Sequence, residues 1–240
     1  MPRIHLPHIP ISGIVELDER AAQHVRVLRL RIGDAVQFFD GMGGVAEANV
    51  IHCDKKRVAL QLGERSRAVI PALYPTHLIQ SLIRNDNMDW VIQKAVELGV
   101  ASITPLIGER VQGRLQGAAL AKKMAHWQEI IVSAAEQCGQ NILPTLHPLI
   151  HFEALSQHAD RLGAELMILD PEASHSFRNL GRRPNASALL IGPEGGFSPT
   201  EMQLILQKKW TRIALHPNIL RAETAAIVSI AMCQFCFIIP

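Results

Sequence analysis

The sequence has few aromatic side chains. Phe, Trp and Tyr make up 5% of its 240 residues, and Tyr74 is the one tyrosine. This argues against a base-stacking platform of the kind single-strand binders use, which needs several rings along a groove. Cysteine is equally scarce, at positions 53, 138, 233 and 236. Cys233 and Cys236 form a C-x-x-C pair, but inside an apolar run and without the second close pair a zinc site would want. They read as buried helix cysteines in a reducing cytosol. His126, His147, His151 and His158 lack companions at metal-ligand spacing, so no metal is expected. No run is long enough for a membrane: the most apolar segment, Ala225 to Ile239, falls short of the roughly 20 residues required and contains Gln234. Arg3, His5 and His8 break any opening apolar stretch, so no signal-peptide pattern is present and a soluble, cytoplasmic protein is expected. Gly-Lys-Ser/Thr and Gly-x-Gly-x-x-Gly are both missing, which excludes a phosphate loop and a dinucleotide fingerprint.

What is present describes a globular chain: 48% of residues are hydrophobic and 19% charged. The length suits one large domain or two small ones. The net charge of +2 is unevenly spread, with ten Lys and Arg against eight Asp and Glu in residues 1–72 and fourteen of each thereafter. Arg20, Arg26, Arg29 and Arg31 cluster with His24. Such a patch fits phosphate contact, and a solvated helix face explains it nearly as well.

Residues 3–6 and 11–17 read as short strands, and Asp18 as the cap of a helix running to about Leu30. Strand runs at 35–39, 45–51 and 57–62 follow, split by the turns Asp40–Gly44 and Asp54–Lys56. The first 72 residues are therefore expected to form a small β-barrel with one helix. Pro71 and Pro75 bracket a linker. From residue 73 to 240 strands and helices alternate, which predicts a mostly parallel sheet with helices on both faces. Its strands are expected at 76–83, 101–106, 145–147, 165–169, 188–191 and 212–216. Its helices are expected at 86–98, with Asn85 or Asp86 as cap, and at 118–138, 152–159 and 222–238. The last helix is apolar nearly all round, so it should be buried on every side. A second subunit would bury it, as would a central place in one domain.

Two loops carry the chemistry. The first leaves the apolar strand Ala188–Ile191, crosses Gly192-Pro193-Glu194-Gly195-Gly196-Phe197 and enters a helix. Ser198 is its N-cap, Pro199 its first residue and Glu201 the partner in a capping box. Glycines there let a backbone approach a ligand closely. A glycine-rich strand-to-helix turn without a ligand is the competing reading. The second loop, Asn218 to Ala225, opens the last helix with Arg221 and Glu223; a dipole-complementing glutamate paired with an arginine is the plainer account of it. Two neighbouring parallel strands would bring both loops to one sheet edge and one pocket.

Together, Ile191–Ser198 with Glu201 and Leu220-Arg-Ala-Glu-Thr-Ala225 resemble the SPOUT class of S-adenosylmethionine-dependent RNA methyltransferases, and within it the ribosomal RNA small-subunit methyltransferase E family. Supporting stretches include His24-x-x-Val-Leu-Arg29, Phe39-Asp-Gly41, Gln93–Val100, Glu109-Arg110 and Glu136-Gln-Cys-Gly139. The resemblance implies a PUA-like RNA-binding β-barrel (1–72) ahead of an α/β domain with a trefoil knot (73–240), acting as a homodimer. It implies S-adenosyl-L-methionine as cofactor, held by Leu169, Ile191, Gly192, Pro193, Glu194, Gly195, Gly196, Leu215, Leu220, Thr224 and Ala225. It also implies methylation of N3 of a specific uridine in 16S rRNA, within the small ribosomal subunit. Glu223 is the first candidate for the proton acceptor, Glu194 the second, and Arg221 the cation for the uracil oxygens. Arg3, His24, Arg26, Arg29 and Arg84 are the candidate RNA contacts. Gln140, Asn85 and Asn87 depart from the family pattern. The alternatives are a SPOUT enzyme acting on tRNA or a ribose 2′-hydroxyl, and a non-catalytic RNA-binding assembly factor.

Overall fold

Parallel strands need crossover connections, and the sequence supplies helices for them beyond residue 73. The computed structural model describes residues 1–68, 73–111, 115–177, 180 and 184–237. The chain divides into two compact units, Met1–Pro71 with Val132–Leu143, and Ala72–Ile131 with Pro144–Pro240. Of the linker expected between Pro71 and Pro75, residues 71 and 72 lie outside the described residues, as does Ile238, the expected end of the last helix.

In the first unit, strands β1 (Arg3–His5), β2 (Gly13–Glu16), β3 (Ala35–Phe39), β4 (Gly44–Cys53) and β5 (Val58–Arg67) make one sheet in the order β1-β3-β4-β5-β2. Helix α1 (Glu19–Val27) lies between β2 and β3, and the Asp18 side chain caps it by accepting from the Ala21 N–H at 2.8 Å. Register shifts in β4, at Ala46/Ala48 and Val50/His52, bend the sheet. Alternate residues point inward, so Val36, Phe38, Ala46, Ala48 and Leu60 share a core with Ala21, Ala22 and Val25.

The unit also takes in Val132–Leu143. Its link to that segment is polar. Glu136, with a side chain 3% exposed, accepts from the His5 N–H at 2.9 Å and lies 3.4 Å from Arg20 Nη2. Arg3 donates to the Ala135 and Gln140 carbonyls and to the Asn141 side chain.

The second unit contains β6 (Thr76–Ser81), α2 (Asn85–Glu97), β7 (Ser102–Ile107), part of α3 (Gly117–Cys138), β8 (Thr145–Leu146), β9 (Ile150–His151) and α4 (Leu155–Leu162). It continues through β10 (Glu165–Leu169), β11 (Ser187–Ile191), α5 (Pro199–Gln207), β12 (Thr211–Ile213) and α6 (Ala222–Phe237). Every pairing in its sheet is parallel, in the order β12-β10-β11-β6-β7-β8, with β9 extending the β7 edge. β11 is buried along its whole length, as a strand covered on both faces must be. One face packs Ile79, Ile168 and Leu190 against Leu155 of α4 and Ile205 of α5. The other receives α6, which also packs on α2.

The structure departs from expectation at several helices: α1 stops at Val27, α4 starts three residues late at Leu155, and α2 and α6 differ in capping and burial. The N-cap of α2 is Arg84, with no side-chain cap of its own. Asn85 is already the first residue of the helix, one position past the cap, and its side chain accepts from Lys123 Nζ at 2.8 Å. Helix α6 is not buried all round within one chain: Ala226, Ile230 and Cys233 are fully buried, but Phe235 is 85% exposed. Burial in that packed face pushes the Cys233 thiol up to about 12.

Candidate active site

In an open parallel sheet the carboxyl ends of the strands face one crevice, where loops from different strands converge. The second unit follows this rule. A cavity of about 1070 Å³ is lined by the segments after β6, β7, β10, β11 and β12 and by the start of α6. Leu169, Ile191, Gly192, Pro193, Glu194, Gly195, Gly196, Leu215, Leu220 and Ala225 all line it, as do Arg221, Glu223 and Arg84. Thr224 is absent from the lining.

The glycine loop is shaped from within. The Gly196 N–H donates to the Pro193 carbonyl at 2.9 Å, and Gly196 has φ 68°, a left-handed conformation that suits glycine. A Cβ on Gly192 would sit 3.2 Å from the Phe197 ring, so ring and backbone are in close contact there. The capping box is complete: Ser198 Oγ accepts from the Glu201 N–H at 3.1 Å, and Glu201 Oε2 from the Ser198 N–H at 2.7 Å. Glu194 reaches away from the loop and accepts from the Arg84 N–H at 3.1 Å. A loop residue thus supplies an acceptor at the N-terminus of α2.

At the second loop, the Ala225 N–H donates to the Arg221 carbonyl at 2.8 Å as α6 begins. Glu223 sits in the first turn, where a carboxylate is favoured by the helix dipole. Its Oε2 is sealed from solvent and has no hydrogen-bond partner among the described residues. A buried acceptor without a donor is costly. Glu223 thus keeps one carboxylate oxygen without a donor at the edge of the cavity.

Asp170 and Arg110 are among the cavity residues that the sequence did not mark as site residues. Asp170 follows β10, is 7% exposed, and accepts from Arg212 Nε at 2.6 Å. Its place directly after a strand end was the available signal. Arg110 donates from Nη1 to the Gly195 carbonyl at 2.7 Å; nothing local to its sequence announces that bond. Asn85 and Asn87, two of the departures from the family pattern, also line the cavity.

The candidate RNA contacts divide between the units. Arg84 is exposed in the second. The other four lie in the first, where Arg29 is exposed with φ 56°. Arg26 donates to the Asp54 carbonyl at 3.1 Å, and His24 Nδ1 lies 3.3 Å from Glu136 Oε2. Arg3 is largely committed to protein acceptors, among them Gln37 at 3.1 Å, and its guanidinium stacks 4.5 Å from the Phe39 ring centroid. Burial pulls the neighbouring His5 imidazole below its ordinary value.

With this geometry in hand, comparison with known proteins is decisive. Residues 71–234 match the family model of the RNA methyltransferase domain, and residues 17–63 that of the RNA methyltransferase PUA domain. The chain belongs to the ribosomal RNA small subunit methyltransferase E family. The methyltransferase E of Buchnera aphidicola subsp. Acyrthosiphon pisum is 30% identical over 97% of this chain and 94% of its own length. Among solved structures, the Neisseria gonorrhoeae methyltransferase E bound to S-adenosyl methionine is 33% identical with a TM-score of 0.90, covering 99% of this chain and 98% of that one. A Legionella pneumophila methyltransferase in complex with the same cofactor is 36% identical with a TM-score of 0.90, covering 97% and 96%. The fold is therefore a methyltransferase E fold: a PUA domain followed by a mostly parallel sheet with flanking helices.

The cavity suits the ligand those two relatives hold. Its volume is generous for a nucleoside-sized molecule, since ligand sites run to about 300–1,000 Å³. Its walls carry both signs of charge, Arg84, Arg110 and Arg221 against Asp170, Glu194 and Glu223. That matches a zwitterionic, sulfonium-bearing molecule better than a polyphosphate.

Proposed function

We propose that this methyltransferase E family member transfers a methyl group from S-adenosyl-L-methionine to N3 of a specific uridine in 16S rRNA, within the small ribosomal subunit in the cytoplasm. The observation that carries the reading is the unpartnered, buried Glu223 Oε2 beside the glycine loop. Uridine N3 bears a weakly acidic imide proton, which must leave before nitrogen can attack carbon. Glu223 accepts that proton, and Arg221, at the same cavity wall, stabilises the charge spread over the uracil oxygens. S-adenosylmethionine, held by Gly192–Gly196 and Leu220–Ala225, would supply an electrophilic methyl on its sulfonium. The backbone at Gly192–Gly196 and Leu220–Ala225 positions the reactants, which is the protein's larger contribution. Glu194, already accepting from Arg84, suits a structural role better than that of base.

In the same reading, residues 1–72 form the RNA-binding domain, with Arg26, Arg29 and His24 facing phosphates, while Arg84 acts from residues 73–240. The catalytic domain carries the trefoil knot of its class and pairs as a homodimer. The exposed Phe235 on an otherwise apolar α6 supports pairing.

The test is methyl transfer from labelled S-adenosylmethionine to small subunits lacking the modification, with naked 16S rRNA alongside, followed by nucleoside analysis. N3-methyluridine from subunits is expected. A labelled ribose, or label in tRNA alone, would replace the substrate assignment; no transfer despite cofactor binding would favour an assembly factor. Glu223→Gln should lower turnover by about 10²-fold or more with cofactor affinity retained. Full turnover would remove Glu223 as the base.

A further inference from the structure

The cavity carries an arginine that the proposed chemistry does not use. Arg110 stands in the loop after β7, and its Nη1 donates to the Gly195 carbonyl at 2.7 Å. What holds this loop is the capping-box residue of α5. Glu201 is 3% exposed, and its two carboxylate oxygens serve different masters: Oε2 takes the Ser198 N–H at 2.7 Å, and Oε1 the Glu109 N–H at 2.9 Å. The approach is close enough that a Cβ on Gly108 would lie 2.5 Å from Glu201 Oε1. A capping box needs only the first of these bonds. The second fastens the β7 loop to the start of α5, directly behind the residue that grips Gly195.

We propose that Arg110, anchored through Glu201, is a positioning residue that fixes the Gly195–Gly196 backbone for cofactor binding. The inference rests on the reading of this loop as the cofactor site. Gly195 and Gly196 have no side chains to pack, so their peptide planes are otherwise restrained by the Gly196–Pro193 turn bond alone among the backbone contacts described. A charged donor on the Gly195 carbonyl fixes the peptide plane that also presents the Gly196 N–H. The loop is then set before ligand arrives, and less ordering is left to oppose binding.

The test is calorimetric binding of S-adenosylmethionine and S-adenosylhomocysteine to the full-length protein, with thermal melting in parallel. Arg110→Ala should weaken both ligands about tenfold, the size of one lost charge-assisted bond, while its melting temperature stays near that of wild type. Arg110→Lys should recover only part of this, because a lysine lacks the planar fork. Glu201→Gln, which keeps one acceptor and replaces the other with a donor, should weaken binding similarly. It should add little when combined with Arg110→Ala. Ser198→Ala is the control for the cap itself. It removes the hydroxyl bond but leaves the Ser198 N–H on Glu201, so it should lower the melting temperature with affinity changed by less than about threefold. Equal affinity for wild type and Arg110→Ala would overturn the inference and leave the functional reading intact. A wild-type protein that binds neither ligand would overturn both.

Discussion

Replacing Glu136 by alanine should destabilise the first unit by about 3 kcal/mol, and the structure says where that cost arises. The carboxylate is almost wholly enclosed, at 3% exposure, and accepts from the His5 N–H at 2.9 Å. Stranding that donor costs about 1–3 kcal/mol. Losing the buried methylene beyond Cβ adds about 0.8 kcal/mol. The pairings with Arg20 and His24, whose side chains are 44% and 29% exposed, contribute less than about 1 kcal/mol each after solvent screening. Burial already pulls the Arg3 guanidinium below its ordinary value, and Glu136 is one of two nearby groups that oppose the shift. At about 4–8 °C per kcal/mol for a unit of this size, the melting temperature of the first unit should fall by roughly 12–24 °C. Glu136→Gln keeps an acceptor for His5 and should cost only about 1 kcal/mol. The assay must watch the correct unit. All three tryptophans, at 90, 127 and 210, lie in the second, so their fluorescence reports the wrong one. Hydrogen exchange of the β1–β3 amides reports the first. A Glu136→Ala protein whose exchange there matches wild type within about 0.5 kcal/mol would refute the reasoning.

Other outcomes follow from the second unit. Burial holds His77, His147 and His158 below the ordinary histidine value. Between about pH 6.5 and their folded values the unfolded chain takes up protons that the folded chain refuses. Stability should therefore be flat above about pH 7 and fall as pH drops through that window. Urea titrations at pH 7.5 and 5.5 check this, and a protein more stable at the lower pH would sink it. His158→Gln, which can still pair with Thr104 Oγ1, should reduce the slope. If α6 is the dimer surface, Phe235→Asp should give monomers in sedimentation with the second unit still folded. Unchanged dimers would place the interface elsewhere.

The parts of this protein that were legible in the sequence are those specified locally. Ser198 and Glu201 announced their helix start three residues apart, and both bonds of the box are present. Gly99 and Gly139 marked helix ends, and both have positive φ. The cavity lining could be anticipated because two loops followed two strands, and the recognisable motifs lay in those loops. What escaped was specified from a distance. The acceptor at the start of α2 comes from Glu194, over a hundred positions away, while Asn85 lies one position inside the helix. Arg110 acquires its role only when β7 and β11 end at the same edge. Val132–Leu143 belongs with the first unit through contacts to Arg3 and His5, which no periodicity records.

The strand order of the second sheet has a consequence for how the protein is made. β6 is the first strand of that sheet to be synthesised, yet it lies between β7 and β11, and Thr76 pairs with Ser187 roughly a hundred positions later. Until β11 emerges, one edge of β6 has no native neighbour, and such an edge invites pairing with other chains. The glycine loop follows β11 directly, so the ligand-binding wall is completed only in the last fifth of the chain. A nascent chain stalled before that point holds the cavity walls after β6, β7 and β10 but lacks the glycine loop and the start of α6, and it carries an open strand. Late closure of this kind makes folding slow and dependent on distant contacts, and it ties ligand competence to a finished polypeptide.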